Sequence, residues 1–161
     1  MDQQTTSDVR IRPIGFNEID VLVSYRLAYL EEMQGERDAA YTEKLRANLK
    51  HYFTESLRND LTFAFLAELN GEAVSFGAMV LKKIPGDFNK PFYLEGDILN
   101  MYTVPLFRRK GISAMILERL IEEAKRRGIS KVSLHTSKDG EKLYRKFGFS
   151  EPVYPVLELS L

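Results

Sequence analysis

Hydrophobic residues recur with two different periods along this chain, and each period predicts a different kind of element. The first third has apolar residues at helical spacing, which predicts two amphipathic helices after a short strand over Val9–Ile14. The first helix is predicted from a start signal at Asn17 to Gly35, and the second from Tyr41 to Leu57. The apolar stripes consist of Ile19, Leu22, Val23, Leu27 and Leu30 in the first helix and of Tyr41, Leu45, Leu49, Tyr52, Phe53 and Leu57 in the second.

Beyond the second helix the apolar residues form extended runs, which indicates strands. The runs Leu61–Leu69 and Ala73–Leu81 flank the pair Asn70-Gly71. Both central residues of a type I′ turn need a positive φ, and Asn and Gly tolerate one most readily. An Asn-Gly pair between two apolar runs therefore predicts a β-hairpin.

The second half of the chain predicts a strand–helix–strand crossover, whose two strands would be parallel neighbours. The predicted segments are the loop Ile84–Pro91, the strand Phe92–Val104, the helix Gly111–Arg127, the strand Lys131–His135, the helix from Ser137 or Lys138 to Phe147, and the extended segment Phe149–Leu161. The first strand of the crossover is long enough for a bulge to be expected. Ligands of open α/β sheets bind at the carboxyl ends of strands, so the turn before the crossover helix and Thr136-Ser137 should meet at one site.

The 161 residues are 44% apolar and 29% charged, with no net charge and no cysteine. This balance is typical of a globular protein, and we expect one domain over residues 1–161 with a frayed leader over residues 1–8. The zero net charge argues against nucleic acid and membrane surfaces as partners, and no apolar run is long enough to span a bilayer. Without cysteine there is no disulfide, thiolate metal site or cysteine nucleophile, and we expect no metal and a cytoplasmic location.

Three cations and a glycine, Arg108, Arg109, Lys110 and Gly111, stand between the long strand and the crossover helix. A helix N-terminus has unpaired N–H groups and partial positive charge, so this turn is a candidate for holding a pyrophosphate. The alternatives are a solvated turn and a nucleic-acid patch. Zero net charge and the lack of interleaved aromatic residues disfavour the second of these.

The turn and the last predicted helix resemble the coenzyme motifs of the GNAT superfamily of acyl-CoA-dependent N-acetyltransferases. That family has Arg or Gln, two residues, Gly, one residue, and then Gly or Ala. This chain has Arg108, Gly111 and Ser113 at those positions, and Ser113 departs from the pattern while remaining small. The family's second motif matches residues 143–149, which read Leu-Tyr-Arg-Lys-Phe-Gly-Phe.

The resemblance implies an α/β, GNAT-like fold: a central mixed, mostly antiparallel sheet with splayed parallel central strands, flanked by helices. It also implies acetyl-CoA as cosubstrate and a homodimer. Where many members have Asn and Ala in the second motif, this chain has Ser137 and Gly140. The residues implied to bind the coenzyme are Met101, Tyr102 and Thr103 along the pantetheine, Arg108, Arg109, Lys110, Gly111, Ile112, Ser113 and Ala114 around the pyrophosphate, and Ser137.

An amine is mostly protonated at neutral pH, so its attack on a thioester needs a group that accepts its proton. Asp97 is the first choice, because it matches the position of the acidic base in many family members. Glu95 is the second choice, because it lies on the same face of the strand. The alternative for both residues is that they are solvated charged residues of the strand with no catalytic role. The resemblance assigns Tyr144 as the acid that reprotonates the leaving thiolate, whereas spacing alone favours a half-buried aromatic. The N–H of Met101 would stabilise the oxyanion if the strand bulges there.

The predicted function is transfer of an acetyl group from acetyl-CoA to a primary amine by direct attack in a ternary complex, since no cysteine is available to carry an acyl-enzyme. The alternative is a non-catalytic acyl-CoA-binding or regulatory module on the same fold. The acceptor, a small-molecule or peptide amine, is not named by any motif, and the first two helices and the loop Lys82–Pro91 should line its site. His135 lacks a paired carboxylate and is interpreted as structural or exposed.

Overall fold

The computed structural model describes residues 8–161, apart from the side chain of Asn100. The described chain forms five strands, β1 (Val9–Pro13), β2 (Thr62–Leu69), β3 (Glu72–Pro85), β4 (Phe92–Thr103) and β5 (Lys131–Leu134). It forms four α-helices, α1 (Ile19–Gln34), α2 (Ala39–Arg58), α3 (Ile112–Arg126) and α4 (Lys138–Lys146). Two short 3₁₀ turns, Phe16–Glu18 and Pro105–Phe107, precede α1 and α3.

The strands form one sheet in the order β1-β2-β3-β4-β5. The first four are antiparallel to their neighbours, while β4 and β5 are parallel and are joined by the α3 crossover. The mixed, mostly antiparallel sheet flanked by helices confirms the predicted fold class. The β2–β3 hairpin turns through Asn70 and Gly71 with φ of 52° and 81°, so the predicted type of turn is also confirmed.

Strand β4 carries the expected bulge, and it then parts from β5. Met79 of β3 faces Ile98 and Ala78 faces Asn100, so Leu99 is the extra residue. The bulge therefore lies at Leu99, whereas the sequence analysis had considered a bulge at Met101, two residues later. The β4–β5 ladder ends at the pair Ile98 and Leu134, while β4 continues to Thr103. The parallel strands are thus splayed at their carboxyl ends.

The two faces of the sheet carry separate apolar clusters. On one face α3 packs against β2, β3 and β4 through buried residues that include Phe63, Met79, Ile98, Ile116, Leu117 and Leu120. On the other face α1 and α2 pack through a set that includes Leu22, Val23, Phe53, Leu66 and Phe76. A Cβ on Gly77 would lie 2.6 Å from the Ile116 side chain, so a glycine in β3 permits the close approach of α3.

The structure corrects several boundaries of the predicted elements. Residues 149–161, predicted as a final strand, contain neither strand nor helix. Strand β3 continues to Pro85, into the segment predicted as a loop, because it pairs with β4 as far as Phe92. The turn before α1 is stabilised by Glu18, which accepts a hydrogen bond from the Gly15 N–H, and not by a cap at Asn17. The predicted leader falls outside the described residues except for Asp8, and the single-domain expectation stays a prediction.

Candidate functional site

A cleft of about 180 Å³ lies where β4 and β5 part. Its walls come from β4, β5 and three helices, so it lies between the elements of both faces of the sheet. The lining consists of Tyr29 and Met33 of α1, Ile98 and Met101 of β4, Ser113 of α3, Leu134 of β5, the connecting residues His135, Thr136 and Ser137, and Gly140, Leu143 and Tyr144 of α4. Four predicted site residues therefore meet here: Met101, Ser113, Ser137 and Tyr144.

The turn before α3 leaves several backbone amides available. Gly111 caps the helix with φ of 79°, and Arg109 also has a positive φ, of 60°. In the described part of the chain the Arg108 amide donates to the Pro105 carbonyl, and the next amides that donate to a backbone carbonyl are those of Ala114 and Met115, both to Gly111. This geometry is typical of an anion site at a helix N-terminus and fits the pyrophosphate of a coenzyme.

Ser113 uses its hydroxyl within the protein, which explains why a serine fits where the family has Gly or Ala. The Ser113 hydroxyl lies 2.9 Å from that of Thr103, and the Thr103 hydroxyl lies 2.7 Å from that of Ser75. Ser75 in turn donates to the Tyr102 carbonyl, at 3.0 Å. This chain of hydroxyls ties the start of α3 to the ends of β4 and β3, and the Thr103 side chain is buried within it.

Arg108 points towards α1. Its guanidinium forms an ion pair with Glu32 and donates through Nε to the Thr103 carbonyl, at 2.8 Å. It also lies 5.7 Å from the centre of the Tyr102 ring. Only the backbone of Arg108 therefore belongs to the turn, and its side chain joins the turn to α1.

The other predicted turn residues differ in what they present to a ligand. Lys110 is exposed and lies 5.5 Å from the centre of the Phe107 ring, and Arg109 is exposed. The Ile112 side chain is buried in the core, so only its amide faces the turn, and Ala114 is partly buried. The cationic contribution to an anion site thus comes from Arg109 and Lys110.

The segment of β4 beyond Ile98 has an edge that β5 does not cover. Met101 lines the cleft there, whereas the Tyr102 side chain is on the opposite face, 5.9 Å from the ring of Tyr25. An uncovered strand edge suits an extended ligand with amide groups, because such a ligand can hydrogen-bond as another strand would. The edge therefore fits the pantetheine arm, although the Tyr102 and Thr103 carbonyls already accept hydrogen bonds from side chains.

Tyr144 of α4 is both a packed aromatic residue and part of the cleft wall. Its ring meets the Phe149 ring edge to face, with centroids 5.8 Å apart. Burial raises the pKa of the Tyr144 hydroxyl, and nearby Tyr29 adds to the effect. The hydroxyl therefore keeps its proton at neutral pH, as a proton donor must.

Asp97 and Glu95 do not line the cleft. Both are in ion pairs, Asp97 with Lys82 at 2.8 Å and Glu95 with Lys131 at 3.0 Å. The Asp97 carboxylate raises the pKa of Lys82. Because Asp97 and its neighbour Ile98 point to opposite faces of β4, the structure does not bring Asp97 together with Tyr144.

Several lining residues were not predicted as site residues from the sequence. Tyr29 and Met33 are four residues apart, so they share one side of α1; the sequence analysis had assigned the first helices to the acceptor side without naming residues. His135, interpreted from the sequence as structural or exposed, also lines the cleft. Its position directly after a strand at the carboxyl edge of the sheet was the available signal.

The described residues contain neither a helix that could span a membrane nor a group of side chains that could hold a metal ion. None of their helices has the length and apolar character needed to cross a bilayer. No group of three or more His, Cys, Asp or Glu side chains among them is arranged to hold a metal ion.

Fold and site together define a class. A parallel strand pair that parts beside a helix N-terminus, with a tyrosine in the cleft, suits an extended ligand that has an anionic group. Comparison with protein families identifies the class further, since the Acetyltransferase (GNAT) family matches residues 25–149. The chain belongs to this family, which is a family of acyltransferases.

Individual relatives agree with this assignment. A predicted acetyltransferase from Clostridium acetobutylicum, solved with acetyl-CoA, superposes with a TM-score of 0.82 and 32% identity, over 94% of this chain and 96% of that one. A GCN5-related N-acetyltransferase from Ralstonia eutropha JMP134 has the same fold, with a TM-score of 0.77, 23% identity and coverage of 94% and 98%. The uncharacterized N-acetyltransferase YsnE of Bacillus subtilis is 39% identical over 59 residues, which are 34% of this chain and 39% of YsnE.

Proposed function

We propose that this protein transfers an acetyl group from acetyl-CoA to a primary amine, with both substrates bound at once. The observation that carries the proposal is the cleft between the splayed strands, with Ser113, two residues after the Gly111 cap of α3, in one wall and Tyr144 in another. The similarity to a structure solved with acetyl-CoA supports the choice of coenzyme. When bound, acetyl-CoA supplies a thioester, an activated acetyl group that an amine can attack.

The coenzyme is proposed to lie along β4 and to end at α3. The amides of the Gly111 turn, with Arg109 and Lys110, hold the pyrophosphate, and the edge of β4 near Met101 binds the pantetheine amides. Ser137 lines the same cleft and has a hydroxyl that donates or accepts.

Proton transfer is proposed to involve Tyr144 and a carboxylate. The Tyr144 hydroxyl holds the proton that the leaving thiolate needs, and its raised pKa supports this role. Asp97 remains the first candidate for the group that takes the proton from the amine, and Glu95 the second. Each would act only after its lysine partner releases it, or through water.

The alternative function is a non-catalytic acyl-CoA-binding or regulatory module. The observation that favours it is the pairing of both candidate bases with lysines, away from the lining of the cleft. An assay of thiol release with acetyl-CoA and a panel of amino acids, polyamines, aminoglycosides and peptide N-termini separates the two functions. Thiol release that depends on an amine supports the enzyme. Acetyl-CoA binding without turnover across the panel supports the module.

The coenzyme site is tested at Gly111. We expect Gly111→Glu to abolish acetyl-CoA binding measured by calorimetry, because a carboxylate would stand beside the pyrophosphate. Gly111→Asn is the matched control, since Asn tolerates the positive φ and adds no charge, and it should lower the affinity only moderately. Unchanged binding by Gly111→Glu would overturn the proposed coenzyme site.

A further inference from the structure

The last turns of helix α1 form part of the cleft wall, although they contribute no buried side chain to the core. Tyr29 and Met33 line the cleft. Residues 31–34 are exposed, and the buried residues of α1 all come earlier in the helix. They are Ile19, Leu22, Val23 and Leu27. A helix end with few buried contacts opens easily, so the position of Tyr29 and Met33 depends on contacts outside the core.

The charges at this end of α1 are unfavourable for a helix. Residues 30–34 include Glu31 and Glu32 and no basic residue. The C-terminal end of a helix carries partial negative charge, so carboxylates destabilise it and a cation stabilises it. Because the last turn of α1 has no cation of its own, a stabilising cation has to come from another element.

Arg108 is that cation. Its Nη2 lies 2.5 Å from Oε2 of Glu32, and both side chains are less than half exposed. The same guanidinium donates through Nε to the Thr103 carbonyl, at 2.8 Å, and lies 5.7 Å from the centre of the Tyr102 ring. The guanidinium is therefore attached to the end of β4 while it binds the end of α1.

The backbone of Arg108 belongs to the turn that precedes α3. It lies three residues before the Gly111 cap, and the hydroxyl of Thr103 bonds to that of Ser113 at the start of α3. One residue therefore contacts the helix that lines the cleft and also forms part of the candidate anion site. A ligand that fixes the turn acts through this residue on the end of α1.

We propose that Glu32 and Arg108 are positioning residues, whose ion pair holds Tyr29 and Met33 in the wall of the cleft. Through this pair, binding of the coenzyme at the turn before α3 favours binding of the amine. The inference rests on the proposed function, in which the cleft receives the acetyl end of acetyl-CoA and the amine together. Neither side chain of the pair has to touch a substrate.

The first test separates the amine site from the coenzyme site. Glu32→Gln and Arg108→Gln each remove the ion pair, and glutamine is one of the two residues of the family pattern at position 108. With the amine that gives the highest rate of thiol release in the panel, each variant should lower kcat/KM by about fivefold or more, mainly through the KM of the amine. The Kd of acetyl-CoA, measured by calorimetry, should stay close to that of the parent protein.

Glu31→Gln is the matched control, because it neutralises the neighbouring carboxylate in the same turn of α1. It should leave the KM of the amine unchanged. Normal KM values in both Glu32→Gln and Arg108→Gln would overturn the coupling between the two sites.

The double variant distinguishes positioning from direct contact with the substrate. If the two residues act as one pair, the variant with both substitutions should lose no more kcat/KM than the more affected single variant. If Glu32 bound the amine directly, the losses would multiply, and the proposal would be overturned.

Amide hydrogen exchange tests the pair without any turnover. Exchange at the end of α1 should be faster in Glu32→Gln and Arg108→Gln than in the parent protein, whereas exchange in β1 should be unchanged. Acetyl-CoA should slow exchange at the end of α1 in the parent protein and have little effect there in the variants. Equal exchange at the end of α1 in all three proteins would overturn the proposal. Absence of turnover in the parent protein would contradict the proposed function and not the pair, whose effect on α1 is measured by exchange.

Discussion

The two residues proposed first for proton transfer, Tyr144 in the cleft wall and Asp97 outside it, have opposite surroundings. Tyr144 is partly buried, and burial raises its pKa above the usual value. Asp97 is about half exposed and is hydrogen-bonded through Oδ2 to Lys82. One group therefore holds a proton firmly, and the other is a carboxylate whose availability depends on a neighbouring ammonium.

Tyr144→Phe removes the proposed proton donor and keeps the ring that packs on Phe149. We expect kcat to fall by about 100-fold or more, the usual contribution of a positioned acid, with the Kd of acetyl-CoA unchanged. Because the pKa of Tyr144 lies above its usual value of about 10, any loss of rate through its ionisation should begin only at still higher pH. Thiol-release kinetics and calorimetry measure both constants. Tyr41→Phe, on the exposed side of α2, is the control and should leave kcat unchanged. If Tyr144→Phe has the same kcat as the parent protein, Tyr144 is not the acid.

Asp97→Asn and Lys82→Met together test whether Asp97 accepts the proton of the amine. If it does, Asp97→Asn should lower kcat by about 100-fold, whereas Lys82→Met, which frees the carboxylate, should preserve or raise the rate. The ion pair is half exposed, so each change should alter the free energy of unfolding by at most about 1 kcal/mol. If both variants change kcat only slightly and to the same extent, Asp97 is a surface ion-pair residue and not the base. Glu95 or water would then be the next candidate.

At the scale of elements, the crossover helix α3 is anchored at both ends by side chains. At its start, Ser113 bonds to Thr103. At its end, Glu123 forms ion pairs with Arg126 and Arg127, and Arg127 lies 4.7 Å from the centre of the Phe63 ring of β2. The helix whose N-terminus is the candidate anion site is therefore in contact with the sheet through side chains at both of its ends.

The ion pairs of Glu123 at the C-terminal end of α3 should make the free energy of unfolding depend on pH in the acidic range. Hydrogen bonds from Arg126 and Arg127 lower the pKa of Glu123 to about 2. A carboxyl group whose pKa is lower in the folded state stabilises the fold above its unfolded pKa of about 4.3, and this contribution disappears as the pH falls towards 2.

Glu123→Gln tests this anchor. It should reduce the free energy of unfolding at pH 7 by about 1 kcal/mol, a value discounted for partial exposure, and the difference from the parent should vanish near pH 2. Urea denaturation at several pH values measures it. Glu122→Gln, which breaks the exposed pair with Arg119, should have a smaller effect at every pH. A penalty for Glu123→Gln that does not change with pH would show that packing, not charge, is lost.

For the whole molecule, the cleft is the place where the two layers meet. Tyr29 and Met33 come from the α1–α2 layer, whereas Ser113 and Tyr144 come from the α3–α4 side. The Arg108–Glu32 ion pair also connects the turn with α1. A ligand in the cleft contacts both layers, so its binding free energy should add to the stability of the whole fold.

Acetyl-CoA at about 100 times its Kd should stabilise the protein by about 2.7 kcal/mol. For a chain of this size that corresponds to a rise in Tm of about 5–10 °C, measured by calorimetric or dye-based melting. Gly111→Glu should melt without this rise. A Tm that is insensitive to acetyl-CoA in the parent protein would contradict the proposed coenzyme.

The sequence by itself determined what depends on neighbouring residues. The helical spacing of apolar residues predicted α1, α2 and α3, and Asn70-Gly71 predicted the hairpin, because turn and helix preferences act over a few residues. The order of elements implied the parallel β4–β5 crossover, and the family resemblance implied that these strands splay. The motif from Arg108 to Ser113, with Tyr144, led to the family that the comparison with known families confirms.

The tertiary structure alone decided what depends on residues distant in the chain. The strand register and the bulge at Leu99 place Asp97 beside Lys82 and away from the cleft, and no local pattern contains that register. The partner of Arg108 is Glu32, 76 positions earlier, and only the packing of α1 brings them together. The segment 149–161 was predicted as extended, yet among the described residues it joins no strand of the sheet, and only the tertiary structure could show this.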